Sequence, residues 1–194
     1  MSTITAARMG GLLCISADTL TTFGDTRLGS SYERWHDKIL RYGDSYLGIV
    51  GSAAHQLVME HLLREGKKRY DFRDRLSIFE SFLEIHSRLK ERYFLNPKDE
   101  EDDEYESSRI DLLLANPHGL FGIFALREVF EFERFWAVGS GGDFALGAMH
   151  AVYPEAESAE TVVRAGLAAG TAFDTGSGLP ETLYTIPLKA GHAR

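Results

Sequence analysis

Cysteine is almost missing from this chain. Cys14 stands alone in an apolar stretch, so no intrachain disulfide can form and a reducing cytoplasm is the expected compartment. There is also no apolar run approaching the about 18 residues that a membrane span needs. The opening MSTITAARMGG has no basic segment leading into an apolar stretch, so neither membrane insertion nor export is expected. An excess of positive charge is absent as well. The formal net charge is −8, which opposes nucleic-acid binding, because phosphate partners select clustered Lys and Arg. The one basic cluster, Lys67-Lys68-Arg69, is short and reads as a solvated helix end.

What the chain does have is apolar content. Hydrophobic residues make up 44% of 194 positions, enough to bury a large core, and with no linker or internal repeat the whole of 1–194 reads as one domain. Residues 2–8 and 12–18 are β-rich runs around Met9-Gly10-Gly11, a hairpin pattern. Residues 38–42 and 46–50 flank Gly43-Asp44 as a second hairpin. Ala54, Leu57, Val58, His61 and Leu62 then recur at helical spacing behind a capping Ser52. Phe79, Phe82, Leu83, His86 and Leu89 mark a second helix. Residues 96–108, NPKDEEDDEYESS, read as a solvated tip. Strand patterns resume at 110–115, 120–126 and 135–138, the first two separated by the turn Asn116-Pro117-His118-Gly119. Helical periods follow at 144–152 and 159–172, and a last strand at 181–188. Strands, two helices, strands, two helices and a strand bury their apolar faces best as two sheets face to face with a helix pair outside each. The expected fold is therefore α+β, a four-layer α-β-β-α sandwich, in preference to a parallel doubly wound sheet.

Several chemistries fail on detail. Gly139-Ser140-Gly141-Gly142 lies between a strand and a helix, where backbone N–H groups could hold a phosphate, but Phe144 stands where the dinucleotide fingerprint needs glycine or alanine. Neither Ser140 nor Ser177 has the glycine two residues earlier that a nucleophile elbow requires. The seven histidines show no H-E-x-x-H or comparable spacing, and His55, His61 and His86 fall on helix faces where packing explains them. No metal and no cofactor is expected. What remains is Ser2-Thr3 opening a strand, Asp18 ending the next and Lys38 starting the second hairpin. Sheet pairing could gather these three, although an Asp and a Lys at strand ends read equally as surface charges.

Beyond this point the residues resemble the proteasome β-type subunit family of bacteria, including HslV and betaproteobacterial proteasome homologues, along nearly the whole chain. Ser2-Thr3-Ile4 resembles the family's opening Thr-Thr-Ile, and Ile15-Ser16-Ala17-Asp18 its second strand. Lys38-Ile39-Leu40-Arg41 is similar to its lysine strand, and Gly48-Ile49-Val50-Gly51-Ser52-Ala53-Ala54 to its glycine turn into the first helix. Ala137-Val138-Gly139-Ser140-Gly141-Gly142 resembles its strongest signature, and Asp174 with Ser177-Gly178 its later Asp and Ser-Gly pair. Two departures stand out. Serine occupies the nucleophile position, without the methyl group that restricts a threonine rotamer, and the segment between Gly24 and Lys38 is several residues longer than usual.

The resemblance implies an N-terminal-nucleophile endopeptidase, like the threonine proteases but with serine. The hydroxyl of Ser2 attacks and its freed α-amine is the base, an amine that ordinarily titrates near about 7.7–8.0. Lys38 supplies positive charge, Asp18 holds Lys38, and the N–H of Gly51 receives the oxyanion. Ser140, Asp174 and Ser177 orient the amine and a proton-carrying water. The bland readings are a turn glycine for Gly51, a helix cap for Ser140 and an ordinary exposed loop for Asp174. The implied partners are peptides or unfolded proteins, a homo-oligomeric ring of six or seven subunits, stacked, joined by helix faces left apolar, and an ATPase unfoldase whose existence the sequence leaves open. Two rivals follow from the same residues. One is an N-terminal-nucleophile amidase acting on a small amide. The other is a catalytically silent structural or gating ring subunit, which by resemblance would carry a helix ahead of the first strand. Removal of Met1 to expose Ser2, rather than a start at Thr3, is expected, since sixteen residues from nucleophile to aspartate match the family. Loss of Lys38 is expected to remove activity while sparing the fold, provided its partner is solvated.

Overall fold

The structure, a computed structural model, describes residues 1–66, 69–95, 110–125 and 128–190. The acidic segment 96–108, Lys67, Lys68 and Leu126 lie outside the described residues. In chain order the elements are β1 (Ile4–Met9), β2 (Leu12–Asp18), β3 (Thr21–Phe23), β4 (Thr26–Leu28), β5 (Ile39–Tyr42), β6 (Ser45–Val50), α1 (Ala53–Arg64) and α2 (Arg75–Tyr93). They continue with β7 (Asp111–Asn116), β8 (Gly119–Phe124), β9 (Glu128–Phe132), β10 (Phe135–Val138), α3 (Gly142–Val152), α4 (Ala159–Phe173) and β11 (Glu181–Pro187).

The first hairpin turns on Gly10 and Gly11, with φ of 59° and 79°. Positive φ at both central residues is the geometry whose twist matches a two-residue hairpin. It sets β1 against β2 in the register Ile4↔Ala17 to Met9↔Leu12. One sheet runs β10-β1-β2-β11 and the other β5-β6-β7-β8-β9, all pairs antiparallel.

Three buried clusters correspond to the three interfaces of a four-layer stack. Between the sheets, Ile4, Ala6, Leu13 and Ile15 meet Ile39, Leu113, Ala115 and Leu120. Outside the five-stranded sheet, Leu47, Ile49, Leu112, Leu114 and Phe121 meet Met59, Leu62, Phe82, Ile85 and Leu89 of α1 and α2. Outside the four-stranded sheet, Ala7, Cys14 and Ala137 meet Ala145, Met149, Val162 and Val163 of α3 and α4. Strand β7 shows why the run LLLA is uninterrupted: Leu112 and Leu114 face the helices while Leu113 and Ala115 face the other sheet, so both sides of the pleat are buried. The expected sandwich is the observed one.

Details differ. Ser52 caps α1 as expected, accepting from His55 N at 3.4 Å while His55 Nδ1 accepts from Ser52 N at 3.3 Å. The buried face of α1, however, is Met59, Leu62 and Leu63, and Leu57 is exposed. Two overlapping stripes at three- and four-residue steps exist in this helix, and the one carrying Met59 and Leu63 faces the sheet. The face of α2 is likewise centred on Ile78, Phe82, Ile85, His86 and Leu89, with Phe79 and Leu83 at its margin. The β3–β4 ribbon lies between the two hairpins, in a stretch to which no apolar pattern assigns a strand, and β9 is an edge strand with only Val129 buried, a pattern too weakly apolar to stand out.

Candidate active site

Ser2 and Thr3 lead into β1, and the strand alternation sends their side chains apart. Thr3 points to the α3–α4 side, fully buried. Its Oγ1 lies 2.8 Å from Ser177 Oγ, and a Cβ on Gly170 would come within 2.5 Å of its methyl. Ser2 faces the opposite way, toward a cleft of about 270 Å³ lined with Val50, Gly51, Asp111, Gly139 and Ser140. A one-residue shift would therefore exchange a cleft hydroxyl for a core one.

Gly139-Ser140-Gly141 shapes the backbone around this strand start. A Cβ on Gly139, whose φ is +99°, would sit 2.1 Å from Ser2 O, and one on Gly141 would sit 2.0 Å from Thr3 Oγ1. Gly141 N donates to Ser2 O at 3.3 Å. Gly139 leaves room for the Ser2 carbonyl and Gly141 for the Thr3 side chain, space that a Cβ would fill. Ser140 does not cap α3, whose N-cap is Gly141 without a side-chain bond. Instead Ser140 Oγ accepts from Ser2 N at 3.1 Å and donates to Asp174 Oδ2 at 2.7 Å. Ser177 donates to the same oxygen at 2.6 Å, which leaves Thr3 as donor to Ser177. Gly176 N donates to Asp174 Oδ1 at 3.2 Å. Partial burial pushes the Asp174 carboxyl up, but the Ser177 and Ser140 hydroxyls, the Gly176 N–H and the charge of the chain's amino terminus outweigh it. The net effect holds it below the usual carboxylate range.

Asp18 and Lys38 form a second, deeper group. Asp18 is fully buried, and its two oxygens accept four bonds. Oδ1 takes Lys38 Nζ at 2.7 Å and Thr3 N at 3.0 Å. Oδ2 takes Leu20 N at 3.1 Å and Gly178 N at 2.9 Å. Lys38 Nζ also donates to Leu20 O at 2.7 Å. Desolvation pulls the Lys38 ammonium below its ordinary value, against the opposing pull of Asp18 and, more weakly, Asp174. A buried ion pair survives only when its remaining bonding capacity is met, and here backbone groups meet it. Thr3 N joins the two groups, because the peptide that links Ser2 to Thr3 is held on one side by Asp18 and on the other by Gly141.

The structure thus gathers Ser2, Asp18, Lys38, Ser140, Asp174 and Ser177 into one hydrogen-bonded neighbourhood, and sets Gly51, with φ of 142°, in the wall of the cleft. Three participants escape sequence reasoning. Thr3 reads as a spare nucleophile, not as a bonded core hydroxyl. Gly178 N contributes only its backbone. Asp111 lines the cleft because Val50 pairs with Asp111 in the register, which no local pattern reveals. Among the described residues no cluster of three or more His, Cys, Asp or Glu side chains could hold a metal ion, and no helix is long and apolar enough to cross a membrane.

A strand-borne hydroxyl at the head of an α-β-β-α sandwich, with its own main-chain nitrogen inside the polar network, defines the N-terminal-nucleophile hydrolase class. Solved structures make the relationship narrower. A Thiobacillus denitrificans protein designated BPH is 40% identical with a TM-score of 0.91, covering 97% of this chain and 99% of its own. The same BPH in complex with epoxomicin matches at 39% identity and 0.89, over 96% and 99%. A eukaryotic HslV from Trypanosoma brucei, 22% identical with a TM-score of 0.70 over 95% and 99%, shares the fold. No protein-family model and no curated protein matches the chain. The chain belongs to the bacterial proteasome β-type, HslV-like family, and is a proteasome-like peptidase subunit.

Proposed function

We propose that this subunit cleaves peptide bonds with Ser2 Oγ as nucleophile and the freed α-amine of Ser2 as base. The observation that carries the reading is the socket around the Ser2 nitrogen. It lies 3.1 Å from Ser140 Oγ, which is itself anchored on Asp174. With Met1 attached, that nitrogen is an amide whose lone pair is delocalised, and Ser2 Oγ donates to Met1 O at 2.5 Å. Once whatever precedes Ser2 is removed, the nitrogen becomes an amine able to take a proton near neutral pH. Ser2 Oγ then attacks the scissile carbonyl carbon as its proton passes to the amine. The C–N bond breaks when that proton is returned to the leaving nitrogen. Water, deprotonated by the same amine, adds to the resulting ester; the acyl C–Oγ bond then breaks as the proton returns to Oγ, which restores the hydroxyl and releases the new carboxyl terminus.

Lys38 lowers the cost of the developing alkoxide, Asp18 fixes Lys38, and the Gly51 N–H in the cleft wall faces the oxyanion, a contribution of about 3 kcal/mol in comparable sites. Ser140, Asp174 and Ser177 hold the amine. The chain works as one domain in a homo-oligomeric ring of six or seven subunits, stacked, on peptides or unfolded proteins in the cytoplasm. Exposed Leu57, Leu76, Phe144 and Phe173 offer apolar contacts for such assembly. Reaction with an epoxyketone followed by intact mass, adduct mapping and N-terminal sequencing tests the chemistry. The expected result is a chain beginning at Ser2 and modified there. A fully active preparation beginning at Met1 would refute the mechanism, and a chain beginning at Thr3 would move the nucleophile. Only monomer at micromolar concentration by mass photometry would overturn the ring.

A further inference from the structure

The residue before Lys38 is engaged in bonds that a plain strand start does not need. Asp37 Oδ1 accepts from Ile39 N at 2.9 Å and from Thr182 Oγ1 at 2.9 Å. Its Oδ2 accepts from Tyr184 Oη at 2.5 Å, and its main-chain oxygen accepts from Gln56 Nε2 of α1. Thr182 and Tyr184 are two apart on β11, so they project from the same face. Strand β11 is the edge of one sheet and β5 the edge of the other. Asp37 therefore ties the two sheets and α1 together at the residue from which Lys38 departs.

We propose that Asp37, held by Thr182 and Tyr184, is a positioning residue that sets the reach and the dryness of Lys38. The inference rests on the reading of Lys38 given above. A lysine has a long stem with considerable rotamer freedom. With Asp37 clamped and Ile49 N bonded to Lys38 O at 3.1 Å, its main chain is fixed on both sides, and its ammonium ends on Asp18 and Leu20 O. Asp37, Thr182 and Tyr184 are all partly buried at these two sheet edges, beside the buried Lys38. Desolvation is the largest influence on the Lys38 ammonium, opposed by the charge of Asp18 and, more weakly, of Asp174. Tyr184 is suited to its part. Burial, then Asp37, pushes its phenol up to about 12, with Tyr46 raising it further and Arg41 opposing, so it stays a donor over the working pH range.

The test compares wild type, Asp37→Ala, Tyr184→Phe and Lys38→Met as assembled enzyme with a mature N-terminus. Turnover of fluorescently labelled casein is measured from pH 6 to 10 (about four units, spanning the amine and lysine ranges), and active sites are counted by epoxyketone. Expected is a fall in kcat per titrated site of about tenfold or more for Asp37→Ala and about threefold for Tyr184→Phe, with KM little changed. The basic limb of the kcat profile should move to higher pH in both, as water reaches Lys38. A merely structural role would reduce the number of titratable sites and leave the limb in place. Lys38→Met inactive with Asp37→Ala and Tyr184→Phe both retaining the wild-type limb and kcat per site overturns the inference alone. Lys38→Met with normal turnover overturns the underlying reading and the inference with it. If Asp37→Ala does not assemble, Tyr184→Phe, which deletes one hydroxyl, decides by the same criteria.

Discussion

The two halves of the sandwich are built from different stock. Around the five-stranded sheet the packing is done by Phe72, Phe82, Phe121, Ile78, Ile85 and several leucines. Around the four-stranded sheet it is done by Ala7, Ala137, Ala145 and Ala159 with Val162 and Val163, and by glycines that admit other atoms. A Cβ on Gly166 would meet Met149 at 2.6 Å, and one on Gly170 would meet Thr3 at 2.5 Å. Large side chains fill a wide interface and supply burial. Small ones let neighbouring elements approach, and Ser140, Asp174 and Ser177 meet at the start of β1. The larger side chains are buried in one half and the polar network around Ser2 is built in the other, so substitutions in the two should fail differently.

The largest effect is expected at the point where the halves meet. Lys38→Ala should remove peptidase activity, but it should not spare the fold as the sequence suggests. Asp18 is fully buried, not solvated, and removing its partner leaves an uncompensated charge at a cost of about 3–5 kcal/mol. Chemical denaturation would show this. The double variant Asp18→Asn with Lys38→Met should recover much of that stability and none of the turnover; recovered turnover would show that the pair is structural only.

Next come paired substitutions in the two halves. Phe82→Ala should cost about 3–5 kcal/mol through the cavity it leaves, with turnover per titrated active site unchanged. Gly141→Ala should cost less, about 1–3 kcal/mol as an overpacked contact, yet lower turnover about a hundredfold by displacing the Ser2–Thr3 backbone. Equal activity losses in the two variants, after correction for the folded fraction, would break the contrast.

The smallest effect concerns Asp174. Its carboxyl titrates lower in the folded protein than in the unfolded chain, so its contribution to stability is present above the unfolded carboxylate value of about 3.9 and is lost as pH falls through the folded one. Thermal unfolding of wild type and Asp174→Asn across that acid range should converge as pH drops, because only the wild type has this contribution to lose.

Much of this was legible because alternation and helical spacing report burial directly. The hairpin at Gly10-Gly11, every strand of the two sheets except β9, and all four helices follow from such patterns. The site was legible only through resemblance. Ser2, Asp18 and Lys38 are far apart in sequence, and nothing local to them says that one carboxylate will bind both the lysine and Thr3 N. Asp111 and Asp37 were passed over for the same reason: their importance depends on which strands become neighbours. The α1 face was misjudged at Leu57 because a short helix with two apolar stripes is decided by the sheet it lands on. Gly139 and Gly141 carry no ligand fingerprint in the sequence, and what they accommodate is the chain's own Ser2 and Thr3.

The amino-terminal charge that helps hold Asp174 deprotonated belongs, in this structure, to Met1, whose side chain lies over Gly176, close enough that a Cβ there would be 2.2 Å from Met1 Cβ. Trimming one residue would thus be a relay as well as an unveiling. The positive charge would step inward along the backbone to the Ser2 nitrogen, already 3.1 Å from Ser140 Oγ, and the charge near the carboxylate would then sit on the same residue as the Ser2 hydroxyl.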